Sequence, residues 1–313
     1  MRANTETTAN GVERALSVPR LGFLSLRPRQ WTKNLIIYLA YFFSLHDRFP
    51  LAWSTERDLF LKTTAGFFLF CLLSGAIYII NDLADAQRDQ LHPTKRRRPI
   101  ASGQLNGTLA LASAVAFGAA GLALSFLLQR DFGIAAAVYV SIMVAYSTTL
   151  KHMVILDVMT IAGGFVLRAA AGGLAIHVPI SPWLYLCTSL GALFIGFSKR
   201  RNELHLLGQD SQDHREVLGQ YSVVFLDQLI GVVAPSTLIA YALYTFTATN
   251  LPANHAMMLT IPFVGYGIFR YLYLTHYKQL GGSPEEVLLS DKPLLLTIAL
   301  WLTAAAVVLL VYD

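Results

Sequence analysis

The chain is poor in charged residues and in cysteine. Only 14% of its 313 residues are Asp, Glu, Lys or Arg, whereas soluble domains carry about 25%. The two cysteines both fall inside long apolar runs, which excludes a secreted domain held together by disulfides. The first 33 residues are polar and basic and contain no apolar core, so they do not predict a cleavable signal peptide.

Long apolar runs are abundant instead. Hydrophobic residues make up 55% of the chain, and a helix needs about 20 mostly apolar residues to cross a bilayer. The sequence therefore predicts an all-α membrane protein. Its nine predicted transmembrane helices lie near residues 34–45, 58–80, 108–128, 131–148, 154–176, 181–198, 222–248, 256–274 and 293–311.

The distribution of Lys and Arg predicts the orientation. If the N-terminus is cytoplasmic, most of the 24 basic residues lie on the cytoplasmic side, as the positive-inside rule requires. We therefore expect a multi-pass protein of the plasma (inner) membrane with its N-terminus in the cytoplasm. Because the positive charge belongs to one membrane face, nucleic acid is not an expected partner.

The chain divides into a polar N-terminal segment, 1–26, and a single transmembrane domain, 27–313. The segment is predicted to be partly disordered. Two long polar loops, 81–107 and 199–221, lie on the predicted cytoplasmic face. Functional residues concentrate in long loops on a rigid scaffold, so we expect the active site to face the cytoplasm.

The first of these loops contains a stripe of aspartates. Residues 81–103 read NDLADAQRDQLHPTKRRRPIASG, with Asp82, Asp85 and Asp89 at helical spacing. Two further helical turns beyond Ile80 would place all three on one side. Like charges repel unless a cation lies among them, and no partner is evident in the neighbouring sequence. Carboxylate oxygens are hard ligands that suit Mg²⁺, and Asn81 adds a neutral oxygen.

The basic run KRRR at 95–98 follows the aspartates. Its Lys and Arg side chains could donate to the oxygens of a phosphorylated substrate. A basic run beside a membrane is also typical of a topology determinant or a lipid-headgroup contact. Both interpretations remain open for this run alone.

The motif NDLADAQRDQ…RPIASG resembles the first aspartate-rich motif, NDxxDxxxD, of the UbiA superfamily of intramembrane transferases. The resemblance extends from about residue 20 to the end of the chain. It implies a nine-helix bundle whose cytoplasm-facing site uses Mg²⁺ to bind a diphosphate.

The second loop departs from this pattern. Members that transfer prenyl groups carry a second motif near DxxxD after the sixth span, whereas this chain reads FSKRRNELHLLGQD there. Lys199, Arg200 and Glu203 replace the paired aspartates. A mostly basic cluster favours direct binding of additional anions, so we expect a substrate with more phosphate groups than one diphosphate.

One branch of the superfamily fits this expectation. RPRQWTKN (27–34), YSTTLKH (146–152), GGFVLRAAAGG (163–173) and SPEEVLLSDKPL (283–294) resemble the polyprenyl-phosphate phosphoribosyltransferases. That resemblance implies transfer of 5-phosphoribose from phosphoribosyl diphosphate to decaprenyl phosphate, a step toward lipid-linked arabinose donors for cell-wall glycans.

The candidate site residues fall into two sets. The predicted metal-binding and catalytic residues are Asp82, Asp85 and Asp89. The predicted donor- and phosphate-binding residues are Lys33, Asn81, Lys95, Arg98, Tyr146, Lys151, Arg168, Lys199, Arg200 and Glu203. Lys33 could equally anchor its helix at the membrane interface. Arg168 lies in mid-span, where it could bind phosphate or form a structural ion pair.

Two other functions remain open. A UbiA-type prenyltransferase would move a prenyl chain from its diphosphate to an aromatic acceptor, but SKRRNEL lacks paired aspartates. A transporter would be compatible with the intramembrane Arg168, but a transport site belongs near the membrane centre rather than in a loop.

Overall fold

The computed structural model describes residues 18–91, 95–207, 216–278 and 284–311. Residues 1–17 of the N-terminal segment and residues 92–94 and 208–215 of the two long loops lie outside them. The α-helices are α1 (Val18–Ser25), α2 (Tyr38–Phe43), α3 (Trp53–Ala84), α4 (Ala86–Leu91), α5 (Gly107–Leu128), α6 (Arg130–Thr148), α7 (Leu156–Ile176), α8 (Pro182–Leu207), α9 (Val223–Thr247), α10 (Ile261–His276), α11 (Pro284–Ser290) and α12 (Lys292–Val311).

The expectation of an all-helical membrane protein is confirmed. Seven helical segments of the described chain are long and apolar enough to cross a membrane. Two of the nine predicted spans are not among them. The first, 34–45, consists of a 3₁₀ helix, Pro28–Ile37, followed by the six-residue α2. The sixth, 181–198, lies in α8, whose C-terminal part carries the charged run SKRRNEL.

The segment Pro28–Phe43 packs tightly against α7. A Cβ atom added at Gly172 would lie 2.0 Å from the carbonyl oxygen of Ile37, far inside van der Waals contact. The glycine therefore allows the two backbones to touch, as small residues do at helix interfaces in membranes. Gly163 lies on the same helix, and a Cβ atom added there would have no neighbouring atom within 4 Å.

Gly172→Ala should therefore destabilise the protein, whereas Gly163→Ala should not. The new methyl group would meet backbone rather than a flexible side chain, and overpacking of this kind costs about 1–3 kcal/mol. Thermal unfolding of the detergent-purified variants measures the difference. Equal melting temperatures for the two variants would contradict the close contact at Ile37.

The short connections from α5 to α6, from α6 to α7 and from α7 to α8 make these helices antiparallel, so the bundle has two ends. The aspartate end comprises the C-termini of α3 and α8, the N-terminus of α7, and the 3₁₀ helices Lys95–Arg97 and Leu150–His152. The opposite end comprises the connections 44–52, 177–181 and 248–255. Phe43 links the first segment to α12 through a tilted ring contact with Trp301, with ring centroids 6.1 Å apart.

Candidate active site

The three aspartates occupy the end of α3 and the short helix that follows it. Asp82 lies in the last turn of α3, Asp85 is the residue at which that helix ends, and Asp89 lies in α4. The backbone N–H of Asp89 donates to the carbonyl of Asp85 at 2.9 Å, so helical spacing continues across the break. The predicted stripe is thus present, although Asp85 interrupts the helix with φ −100° and ψ 6°.

The expectation that nothing pairs with the aspartates is wrong. Asp82 is 3% exposed, and its Oδ1 accepts hydrogen bonds from both Arg27 and Arg98. The Nη1 atom of Arg98 lies 3.0 Å from Oδ1 of Asp82 and 2.5 Å from Oδ2 of Asp89. One guanidinium nitrogen therefore bridges two buried carboxylates, which lowers their mutual repulsion.

Asp85 has a different cation. The Nζ atom of Lys151 donates to its Oδ1 at 2.6 Å, and the side-chain amide of Asn81 donates to its Oδ2 at 3.0 Å. Lys151 lies in the 3₁₀ helix between α6 and α7 and is buried. The predicted residues Asn81, Arg98 and Lys151 therefore meet the aspartate stripe in the folded chain.

The chemistry of this donor set fits a hard divalent cation. The nitrogen of Arg98 stands between two carboxylates, at a position where a cation could take ligands from both Asp82 and Asp89. Within the described residues, no group of three or more His, Cys, Asp or Glu side chains is arranged to hold a metal ion. The carboxylates would have to leave their basic partners before a metal could bind them.

Four other predicted residues are partly buried: Lys33, Lys95, Tyr146 and Lys199. Lys33 lies in the 3₁₀ helix Pro28–Ile37, and Lys95 begins the short 3₁₀ helix that leads to Arg98. The Nζ atom of Lys199 lies 3.8 Å from Oε1 of Glu203. Their roles in donor binding remain predictions.

Arg168 lies apart from the aspartate stripe. It is 5% exposed, its Nε donates to Oδ1 of Asn34 at 2.7 Å, and its Nη2 donates to the hydroxyl of Tyr139 at 2.7 Å. Its Nη1 also donates to the carbonyl of Gly164 at 3.1 Å. The side chain thus joins α7 to the first segment and to α6. The two predicted roles were phosphate binding and a structural ion pair. This arrangement favours a structural role, in which an amide and a phenol, rather than a carboxylate, accept the hydrogen bonds of the guanidinium.

The side chain of Arg200 is buried in an ion-pair network, which is not where a residue that binds a substrate phosphate would lie. Its side chain is 2% exposed, its Nε donates to Oδ2 of Asp157 at 2.7 Å, and its Nη1 donates to Oε2 of Glu203 at 2.6 Å. The prediction of direct phosphate binding by Arg200 is therefore corrected. Asp157 is fully buried at the start of α7 and requires a countercharge, which Arg200 supplies.

Tyr221 completes this buried network. Its hydroxyl donates to Oδ1 of Asp157 at 2.7 Å and accepts the backbone N–H of Ile155 at 2.7 Å. Burial and the hydrogen bond to Asp157 raise the pKa of Tyr221 well above its usual range, so the phenol keeps its proton. Ile155 has φ +69°, a conformation that β-branched residues seldom adopt. The network therefore fixes the turn before α7 against α8.

Sequence reasoning missed Arg27, Asn34, Asp157 and Tyr221. Arg27 and Asn34 belong to the stretch RPRQWTKN, but their partners Asp82 and Arg168 are 55 and 134 residues away. No local spacing can reveal such pairs. The unusual concentration of polar residues in RPRQWTKN, directly before an apolar run, was the available signal.

A large cavity of about 660 Å³ extends from the opposite end toward the middle of the bundle. Aromatic side chains form much of its wall, namely Phe43, Phe165, Trp183, Tyr241, Tyr244 and Trp301. Its polar lining residues at the opposite end include Asp47, Ser181 and Asn250. Phe165 also contacts the guanidinium of Arg168, whose central carbon lies 5.2 Å from the ring centroid.

The sequence model described as the UbiA prenyltransferase family matches residues 35–283 of this chain. The chain belongs to this family. It is 32% identical over 285 residues to a decaprenyl-phosphate phosphoribosyltransferase of Mycolicibacterium smegmatis, covering 89% of each protein. It is 33% identical over 285 residues to the protein of that name in Corynebacterium glutamicum, covering 88% of this chain and 83% of the relative.

Solved structures share the UbiA fold. A UbiA homologue from Archaeoglobus fulgidus bound to DMAPP and Mg²⁺ has a TM-score of 0.68 and 19% identity. The likeness covers 92% of this chain and 98% of that protein. At this identity the comparison shows a shared fold.

Proposed function

We propose that this UbiA-family protein transfers 5-phosphoribose from phosphoribosyl diphosphate to a polyprenyl phosphate and releases diphosphate. The observation that carries the proposal is its likeness to two relatives named decaprenyl-phosphate phosphoribosyltransferase along most of both chains. We further propose nine membrane spans, a cytoplasmic N-terminus and an aspartate end that faces the cytoplasm, with the product used for lipid-linked arabinose precursors.

The charges at the aspartate end support this chemistry. Cleavage of the bond between C1 of the ribose and the diphosphate creates oxocarbenium character on the sugar and negative charge on the leaving group. Bound Mg²⁺ would supply positive charge to that leaving group, with Asp82, Asp85 and Asp89 as its ligands. Arg98 and Lys151 would donate to phosphate oxygens in a site where burial strengthens each charge interaction.

The acceptor needs no strong general base, because a lipid phosphate is already anionic at neutral pH. The protein's task is to hold that phosphate in line with C1 of the donor, and positioning of this kind supplies a large part of many rate enhancements. No described side chain is therefore assigned as a base.

The apolar cavity supports a lipid acceptor. Its wall is mostly apolar, as a polyprenyl chain requires, and it reaches the middle of the bundle from the opposite end. Gly191 on α8 lines it and has open space around its Cβ position. Gly231 on α9 also has open space but does not line the cavity.

Gly191→Leu should therefore raise the KM for a long polyprenyl phosphate by about tenfold, because each methylene kept out of an apolar site costs about 0.8 kcal/mol. A short-chain acceptor should be affected much less, and Gly231→Leu should change neither KM. Initial rates with acceptors of two lengths test this. If Gly191→Leu and the unmodified protein have the same KM for the long acceptor, the cavity does not bind the acceptor chain.

The activity is tested with purified protein in detergent, Mg²⁺, phosphoribosyl diphosphate labelled in the ribose, and polyprenyl phosphate. Label in the lipid fraction together with released diphosphate supports the proposal. If the label stays in water but prenyl diphosphate reacts with an aromatic acid, the protein is a prenyltransferase. Uptake into liposomes without either product would indicate a transporter.

A further inference from the structure

The aspartate stripe is electrically balanced by its own protein. Arg27 and Arg98 bind Asp82, Arg98 also binds Asp89, and Lys151 binds Asp85. Three carboxylates thus face three basic side chains. Every described carboxylate of the stripe already has a cationic partner, so a divalent ion has no free carboxylate to bind.

Arg27 differs from the other two basic residues in its backbone. It joins α1 to the 3₁₀ helix Pro28–Ile37 and has left-handed angles, φ +51° and ψ +64°. Residues with a side chain seldom adopt this conformation, and strain of this kind concentrates at functional sites. Hydrogen bonding to Asp82 and stacking of the guanidinium on Tyr78, 5.1 Å from the ring centroid, accompany it.

Arg27 is also more accessible to solvent than the carboxylate that it binds. Its side chain is 24% exposed, whereas that of Asp82 is 4% exposed. A ligand that approaches Asp82 from solvent can therefore reach Arg27. The same oxygen of Asp82, Oδ1, accepts from Arg27 and from Arg98. A metal ion that binds this oxygen must compete with a guanidinium group.

We propose that Arg27 exchanges partners during substrate binding. In the ligand-free protein it neutralises Asp82. When a metal and a diphosphate enter together, Asp82 would release Arg27 and hold the metal, and the guanidinium of Arg27 would move to a diphosphate oxygen. The inference deepens the proposed function and requires only that the donor carries a diphosphate.

This exchange couples the two ligands thermodynamically. Metal alone would leave the guanidinium of Arg27 without an anion, and diphosphate alone would face the carboxylates. Each ligand therefore binds more tightly when the other is present, and the coupling must be equal in both directions. If Arg27 merely stabilised the fold, it would contribute nothing to this coupling.

Isothermal titration calorimetry of Arg27→Asn tests the exchange. Asparagine tolerates left-handed backbone angles, so the substitution removes the guanidinium and preserves the turn. We expect Mn²⁺ alone, as a probe for Mg²⁺, to bind the variant about tenfold more tightly, because one of its two competitors for Oδ1 of Asp82 is gone. Inorganic diphosphate at saturating Mg²⁺ should bind about tenfold more weakly, since a charge-assisted hydrogen bond is lost.

Arg29→Asn is the matched control. Arg29 lies two residues further along the same segment and is exposed. The substitution Arg29→Asn therefore removes the same charge as Arg27→Asn but leaves the contact with Asp82 intact. Both affinities should stay within about twofold of those of the unmodified protein, given salt screening of exposed charges. Arg27→Lys should restore part of the diphosphate affinity.

The two affinity changes of Arg27→Asn must have opposite signs. A parallel loss of both affinities, or no change in either, overturns the partner exchange. An equal response of Arg29→Asn would also overturn it, because the effect would then reflect net charge alone. If the exchange is observed but no phosphoribosylated lipid forms, the proposed function fails and this inference stands, since its probes are only metal and inorganic diphosphate.

Discussion

Asp82→Asn should lower turnover by at least about 100-fold. Asp82 is the most buried member of the aspartate stripe, and its Oδ1 is the meeting point of two guanidinium groups. The amide keeps the size of the side chain but removes the charge that would hold Mg²⁺ beside the leaving diphosphate. Loss of metal-assisted charge stabilisation is worth several kcal/mol, and each 1.36 kcal/mol is a factor of about ten in rate.

The measurement is the initial rate of phosphoribosyl transfer at saturating donor and Mg²⁺. Asp58→Asn is the control, because Asp58 lies on the same helix near the opposite end and forms an exposed pair with Lys62. The control should keep full activity, and size-exclusion profiles should show that both variants are folded. Near-normal turnover of Asp82→Asn would rule out the metal assignment.

Arg200→Met should produce the largest loss of stability. It leaves Asp157 as a fully buried carboxylate without its countercharge. Removal of one partner from a buried ion pair destabilises proteins by about 3–5 kcal/mol. The loss should appear as a lower unfolding midpoint in detergent, and activity should persist under conditions in which the variant remains folded.

Two further variants isolate the cause. Asp157→Leu combined with Arg200→Met should be more stable than Arg200→Met alone, because no buried charge is then left unpaired. Arg201→Met is the matched control: its partner Asp227 is 41% exposed, and such a pair contributes about 0–1 kcal/mol. A similar loss in Arg200→Met and Arg201→Met would show that burial of Asp157 is not the cause.

Much of the fold could be predicted from local pattern. Hydrophobic runs predicted the helical membrane protein, because each backbone polar group in a bilayer must be satisfied within its own helix. The aspartate stripe was predicted correctly as a helical stripe, since i, i+3 and i+7 spacing depends only on helix geometry. The first span was predicted less well: its hydropathy does not distinguish the 3₁₀ helix Pro28–Ile37 from an α-helix.

The candidate site shows the limit of this reasoning at particular residues. Arg98 and Lys151 were predicted as donor-binding residues, and the fold brings both of them against the aspartates. Arg200 was predicted to bind phosphate because SKRRNEL is basic. The spacing of residues within one helix, however, does not show which of their side chains is buried in the protein. Arg27 was counted only as a basic residue of the N-terminal side, and its contact with Asp82 joins elements far apart in sequence.

The sequence by itself determined the membrane-embedded helical class, the position of the aspartate stripe and the family motifs, because each of these depends on residues within a few turns of one another. Only the tertiary structure decided how the charges are paired. A lysine or arginine can meet any carboxylate that the fold brings near, and burial then decides which pairs are strong. That is why Arg27 meets Asp82 and Arg200 meets Asp157, which no local pattern predicted.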